Sequence, residues 1–141
     1  MLKVYLTRRY LFSASHRLHN PALAEAANRA TYGKCNQPYG HGHNYFLEVT
    51  LGGPIADETG MLCDLGALDS AVKREVLERF DHQNLNLLED FSTQVPTTEN
   101  LVIRVQQILR RLPLPAHLEG VRIEETANNS IEYAGGRPPR R

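Results

Sequence analysis

Two stretches of period-two alternation frame the chain and limit what it can fold into. In Val4 to His16 the even positions Val4, Leu6, Tyr10, Phe12 and Ala14 are mostly apolar, interrupted by Arg8. The odd positions Thr7, Arg9, Ser13 and Ser15 are largely polar. In GHGHNYFLEVTLGG the odd positions His43, Tyr45, Leu47, Val49 and Leu51 share one side, while Asn44, Glu48 and Thr50 face the other. Such alternation marks strands with one buried face. Two segments with helical spacing follow. The first places Leu65, Leu68, Val72 and Val76 on one face behind Asp64 as N-cap. The second runs from about Thr98 to Leu112, with a stripe of Leu101, Val105, Ile108 and Leu112. An Ala-rich piece opened by Asn20 and Pro21 reads as a short helix within the excursion from Leu18 to Lys34. Asp81 to Phe91 reads as irregular. Val121 to Glu125 and Ser130 to Tyr133 read as two further strands joined through Asn128 and Asn129. The order strand, strand, helix, helix, strand, strand predicts an α+β domain with an antiparallel sheet carrying helices on one face.

At 141 residues the expectation is one domain, over residues 1–135, followed by a basic tail without order at 136–141. Sixteen basic and sixteen acidic side chains cancel, so bulk charge points to neither nucleic acid nor membrane. Lys3, Arg8 and Arg9 break what a signal peptide would need as an apolar run, and no stretch approaches the roughly 18 apolar residues of a membrane span. Two cysteines, Cys35 and Cys63, are too few for a disulfide scaffold, and a reduced cytoplasmic setting is expected.

The chemistry concentrates in CNQPYGHGHNY, Cys35 to Tyr45. Residues two apart on a strand project to one side, so His41 and His43 can converge on one ion. His16, ending the first strand on its apolar side, can complete the set from a neighbouring strand about 4.8 Å away. Three neutral imidazoles with an open position are a catalytic zinc arrangement. The competing reading is a turn with unrelated histidines. Gly40 and Gly42 permit close approach of a ligand or another backbone. Cys35 has three readings: a fourth ligand, which would close the site and make it structural; a buried small hydrophobe; or an ionisable base beside the metal, favoured by its polar, turn-rich setting next to Lys34. Cys63, within GMLCDL, is the inert one. On the last long strand, parity places Glu125 with Val121 and Ile123, and Glu124 on the opposite side; a carboxylate on an apolar face needs a partner.

FSASHRL (12–18), CNQPYGHGHNY (35–45), GMLCDL (60–65), DHQNLN (81–86), PTTEN (96–100) and EETANNSIEY (124–133) together resemble the 6-pyruvoyl tetrahydropterin synthase family, whose close relatives are the 6-carboxytetrahydropterin synthases of queuosine biosynthesis. The resemblance implies Zn2+ held by His16, His41 and His43, catalytic Cys35 with an Asp81–His82 relay pair, a pterin-anchoring Glu125, and Thr97 and Thr98 lining the pterin pocket. It also implies the tunnelling fold: a four-stranded antiparallel sheet with two helices on one face. Trimers of it close into a barrel and pair as homo-hexamers with active sites between subunits. The implied reaction is that of a lyase, eliminating triphosphate from 7,8-dihydroneopterin triphosphate without an external redox cofactor. The five residues between Cys35 and His41 match the pyruvoyl branch, where the carboxy branch has three. Ala127 departs from the aspartate that often follows Glu-Thr. A non-catalytic pterin- or metal-binding relative is the alternative of another class.

Overall fold

The computed structural model describes residues 2–135. The expected tail at 136–141 lies outside them. Strands β1 (Val4–His16) and β2 (His41–Gly53) pair antiparallel over their full length, from Val4 opposite Gly53 to His16 opposite His41. On its other edge β2 pairs antiparallel with β4 (His117–Thr126), with an irregularity at Thr50/Leu51, and β4 turns back to pair antiparallel with β5 (Asn129–Glu132). The alternation predicted for β1 and β2 is what the fold uses. Phe12, Ala14 and His16 on one strand, and Tyr45, Leu47, Val49 and Leu51 on the other, are buried on the helix-bearing side. Arg8, the interruption in β1, is neutralised on that side: Nε and Nη2 donate to the Asp69 carboxylate at 3.0 and 2.9 Å, and the Tyr10 hydroxyl donates to it at 2.7 Å.

Among the described residues the sheet has five strands rather than the four expected. The extra one, β3 (Gln83–Asn84), lies parallel to β1 at the edge, giving the order β3-β1-β2-β4-β5. Two residues carry no alternation to read. What places them is His82, at φ 59°, whose N–H donates to the Ser13 carbonyl at 2.6 Å while Asp81 Oδ1 accepts from the Ser13 N–H at 2.9 Å. The remaining pairs are antiparallel, and within one chain the sheet stays open, with β3 and β5 as its edges.

Among the described residues there are three helical bodies: the two expected on the sheet and the short helix anticipated in the excursion. Helix α1 (Glu25–Tyr32) starts later than Asn20-Pro21. Asn20 instead belongs to a turn held by the buried Asn28 side chain, which accepts from the Asn20 N–H at 2.8 Å and donates to the Asn20 carbonyl at 3.0 Å. Helix α2 (Leu65–Val72) runs through a π-helical turn, Lys73–Leu77, into α3 (Glu78–Phe80). Asp64 caps it, accepting from Gly66 N and Ala67 N. Its buried stripe is Leu68, Val72, Val76 and Phe80, each four residues on. A four-residue repeat overshoots a turn of about 3.6 residues, and the wider π turn takes up the excess, so all four side chains meet the sheet. Helix α4 (Thr98–Arg110) buries Leu101, Val102, Val105 and Leu109. Its core stripe is therefore rotated from the expected one: Ile108 and Leu112 only flank the core, and Leu112 lies past the helix end.

The helix-free face of the sheet is a polar lattice. Arg122 donates to Glu48 at 2.7 Å, Arg9 pairs with Glu124, and the Thr7 and Thr50 hydroxyls meet at 2.7 Å. Among the described residues no helix is long and apolar enough to cross a membrane.

Candidate metal centre and active site

The β1–β2 register builds the site. It sets His16, the last residue of β1, directly across from His41, the first of β2, and strand parity brings His43 to the same side. The ring centroids lie 4.7 Å (His16–His41), 5.1 Å (His16–His43) and 4.8 Å (His41–His43) apart, with planes close to perpendicular. One nitrogen from each falls within 4.8 Å of the others. Gly40 is what lets the strands meet here. It holds φ 72°, and a Cβ on it would stand 2.7 Å from the His16 carbonyl oxygen. Gly42 is under no such demand, since a Cβ there would make only an ordinary 3.7 Å contact.

His16 and His43 are prepared as neutral ligands. His16 Nδ1 donates to the Pro96 carbonyl at 2.7 Å, so its hydrogen is on Nδ1 and Nε2 presents a bare lone pair. That Nε2 faces His41 Nε2 at 3.0 Å. His43 Nε2 is buried without a hydrogen-bond partner. Burial holds His16 below the ordinary histidine value, with His41 and His43 adding to the effect against the opposing pull of Pro96 and Glu125. Burial lowers His43 as well. An unpartnered buried nitrogen costs roughly 1–3 kcal/mol, and a metal ion among the three lone pairs removes that cost. The donor set, three nitrogens and no thiolate, fits a divalent ion such as zinc with a coordination position left open.

Glu125 borders this centre. Its Oε1 lies 3.5 Å from His43 Nε2 and 3.7 Å from His16 Nε2, while Oε2 accepts from the Asn129 side chain at 2.8 Å. Burial pushes its carboxyl up, but the Asn129 amide, the Thr98 hydroxyl and the two histidines outweigh burial and hold it below the ordinary carboxylate value. It is thus an anion, on the face parity predicted, while Glu124 points the other way to Arg9.

The two threonines divide. Thr97 is the N-cap of α4, its hydroxyl accepting from Asn100 N at 3.1 Å. Thr98 is buried, and its hydroxyl makes no hydrogen bond of normal geometry. Asp81 and His82 form a pair, with Nδ1 of His82 3.0 Å from Asp81 Oδ1. The Ser13 N–H, and then His82, hold the Asp81 carboxyl below its ordinary value against burial. His82 is exposed and shares with His43, Gln83 and Asn84 an open cleft of about 560 Å³. Cys35 stands in a 3-10 turn, Gly33–Asn36, whose Cys35 carbonyl accepts from Leu18 N at 2.9 Å, two residues past His16. Among the described residues, the side chains close enough to share an ion are the three histidines, and Cys35 is not one of them.

Two supporting groups escaped the sequence reading. The Pro96 carbonyl has no sequence signal. The Tyr45 hydroxyl, 3.4 Å from His16 Nδ1, follows His43 on the same strand face and was legible from parity.

A family model described as 6-pyruvoyl tetrahydropterin synthase matches residues 5–136. The chain is 44% identical over 136 residues to a Drosophila melanogaster protein named 6-pyruvoyl tetrahydrobiopterin synthase, covering 95% of this chain and 81% of that one. It is 38% identical over 131 residues to the Homo sapiens protein of the same name, covering 92% and 90%. The solved structure of Caenorhabditis elegans 6-pyruvoyl tetrahydropterin synthase superposes with a TM-score of 0.90 at 41% identity, covering 96% of this chain and 98% of that one. With its histidine triad, adjoining carboxylate and near-complete match, the chain belongs to the 6-pyruvoyl tetrahydropterin synthase family.

Proposed function

We propose that the protein is a zinc-dependent 6-pyruvoyl tetrahydropterin synthase, a lyase that eliminates triphosphate from 7,8-dihydroneopterin triphosphate. The observation that carries this reading is the Glu125 carboxylate 3.5 Å from the buried, unpartnered Nε2 of His43. A metal position and an anion able to accept the N–H and amino hydrogens of a pterin edge are side by side.

His16, His41 and His43 would hold the metal, which when bound supplies Lewis acidity toward the substrate's side-chain oxygens. Glu125 fixes the ring through paired charge-assisted hydrogen bonds, and Thr98, buried beside it, closes that wall of the pocket. Cys35, as thiolate, takes a proton from a side-chain carbon. The electron pair left behind forms a double bond as the carbon–oxygen bond to triphosphate breaks. His82, held through Nδ1 by Asp81, moves the second proton at Nε2, and the side chain's own electrons supply the ring reduction. Cys35 stands outside the histidine group of its own chain. An active site shared between subunits accommodates that, with open sheets joining edge to edge as a barrel-forming trimer and two trimers as a hexamer, in the cytoplasm.

The five-residue gap between Cys35 and His41 favours the pyruvoyl product over the carboxy product of the queuosine branch. Incubation of the zinc-loaded protein with 7,8-dihydroneopterin triphosphate tests the reading. Triphosphate release with 6-pyruvoyltetrahydropterin is expected. Acetaldehyde release would identify the carboxy reaction, and binding without turnover would identify a non-catalytic relative.

A further inference from the structure

We infer that the cleft between the end of β1 and the turn at Gly33–Asn36 is an anion site built for a linear polyphosphate, the triphosphate arm of the substrate. The identity of the arm rests on the function proposed above; the anion preference does not.

The cleft, of about 350 Å³, is lined by Arg17, His19, Glu25, Arg29 and Lys34 among others. A second cleft of about 330 Å³ shares Arg17 and His19 and continues past Asn86 and Thr93 to Pro96. The Pro96 carbonyl holds His16 Nδ1, so this trough reaches the back of the metal centre. Among the described residues, three cations face one carboxylate in the first cleft, and the second has no carboxylate in its walls. That single carboxylate, Glu25, lies 3.9 Å from Arg29. The excess is local, because the whole chain has no net charge.

The donors are set in advance. The Asn86 side chain grips Arg17 at both backbone groups, accepting from its N–H at 2.7 Å and donating to its carbonyl at 2.8 Å. Arg17 Nε donates to the Asn36 carbonyl at 2.9 Å, and its terminal nitrogens have no protein acceptor among the described residues. Asn36, itself buried, donates through Nδ2 to the Leu18 carbonyl at 2.8 Å and to His19 Nδ1 at 3.0 Å. A carbonyl only accepts, so the amide orientation is fixed. His19 Nδ1 is then the acceptor, and Nε2 of the neutral ring carries the hydrogen as a donor. A guanidinium with free ends, an ammonium and an imidazole N–H along one trough match successive phosphate oxygens, and Arg17 directly follows the metal ligand His16 in the chain.

Titration calorimetry of the zinc-loaded full chain with inorganic tripolyphosphate tests this, with metal content measured afterwards. The wild type should bind. Lys34→Gln and Arg17→Gln should each weaken binding about tenfold or more, with the loss shrinking as salt rises. Both should raise KM for 7,8-dihydroneopterin triphosphate while leaving affinity for unphosphorylated 7,8-dihydroneopterin unchanged. Lys34 is a peripheral side chain, so its variant decides the matter if Arg17→Gln misfolds. Tripolyphosphate binding that neither substitution alters overturns the site, as does an unchanged KM, and both leave the synthase reading standing. Substitution-sensitive tripolyphosphate binding in a protein without turnover sustains the site and removes the synthase reading instead.

Discussion

Nε2 of His43 and Oε1 of Glu125 stand 3.5 Å apart, the nitrogen buried and the carboxylate half-buried, and neither nitrogen nor oxygen is satisfied by the other in a neutral imidazole without a hydrogen between them. The two atoms are placed for different things, one for a metal and one for a ring N–H. Glu125→Gln should therefore keep metal stoichiometry intact while lowering kcat/KM about 30- to 100-fold, the value of a lost charge-assisted pair. Metal analysis alongside steady-state kinetics checks this. Loss of metal in the variant would make Glu125 a ligand.

Metal binding should be acid-labile in a particular window. Burial keeps His16 and His43 neutral in the folded chain below the ordinary histidine value of about 6.5, whereas the unfolded chain takes up those protons there. The folded state thus binds fewer protons as pH falls through 6.5, so the metal-free protein loses stability progressively from that point down to the folded values. Zinc competes with the same protons, so its affinity falls over the same range. Melting curves of metal-free and zinc-loaded protein between pH 5 and 8, spanning about that ordinary value, should show a zinc-induced rise in Tm that shrinks toward acid. His16→Ala should abolish it.

Cys35→Ala should retain zinc and lose turnover, because Cys35 stands outside the group of side chains able to share an ion. Metal content and product formation measured on one preparation separate a base from a ligand. A variant that loses zinc would make the cysteine a fourth ligand and the site structural.

Asp81 does two things at one oxygen, accepting the Ser13 N–H at 2.9 Å and lying 3.0 Å from His82 Nδ1. Asn at this position still accepts from Ser13 through its carbonyl oxygen, so the β3 edge should survive. It withdraws the charge that orients and supports a protonated His82. The expected result for Asp81→Asn is a fall in kcat of about 10²-fold or more with little change in Tm. Comparable losses in both would mean the residue acts only as an edge clamp.

What the sequence made legible follows from where burial is one-sided. β1 and β2 announced themselves because half of each faces the core, and the same parity sorted Glu125 from Glu124 and set His43 with Tyr45. β3 could not be read, because two residues contain no period and their position depends on Ser13, some seventy residues earlier. Residue pairs brought together by the fold were equally hidden: Pro96 behind His16, and Asn86 around Arg17. The threonines of PTTEN were inseparable in sequence, since either hydroxyl suits an N-cap. Only the helix start at Thr98 gives capping to Thr97 and leaves the Thr98 hydroxyl buried beside Glu125.

Asp90 supplies a test of the scaffold independent of the site. Only 4% exposed, its carboxylate takes Arg79 at 2.9 Å and Arg104 at 2.7 Å, tying the end of the α2–α3 rod to α4. Burial pushes this carboxyl up, but the two guanidinium groups outweigh burial and hold it below the ordinary value. A depressed folded value means the contribution is complete above about pH 4, where the unfolded carboxylate is ionised, and is lost as pH falls through the folded value. Asp90→Asn keeps the shape, removes the charge, and leaves two guanidinium groups facing each other at a buried point. Both arginines are partly exposed, which tempers the loss to about 1–3 kcal/mol, less than a fully buried pair would cost. Denaturant melts at pH 7 and pH 3 check the assignment. The difference between wild type and variant should be large at pH 7 and should narrow toward pH 3, because acid removes from the wild type the same charge that the substitution removes. A difference independent of pH would assign the cost to packing rather than to the ion pair.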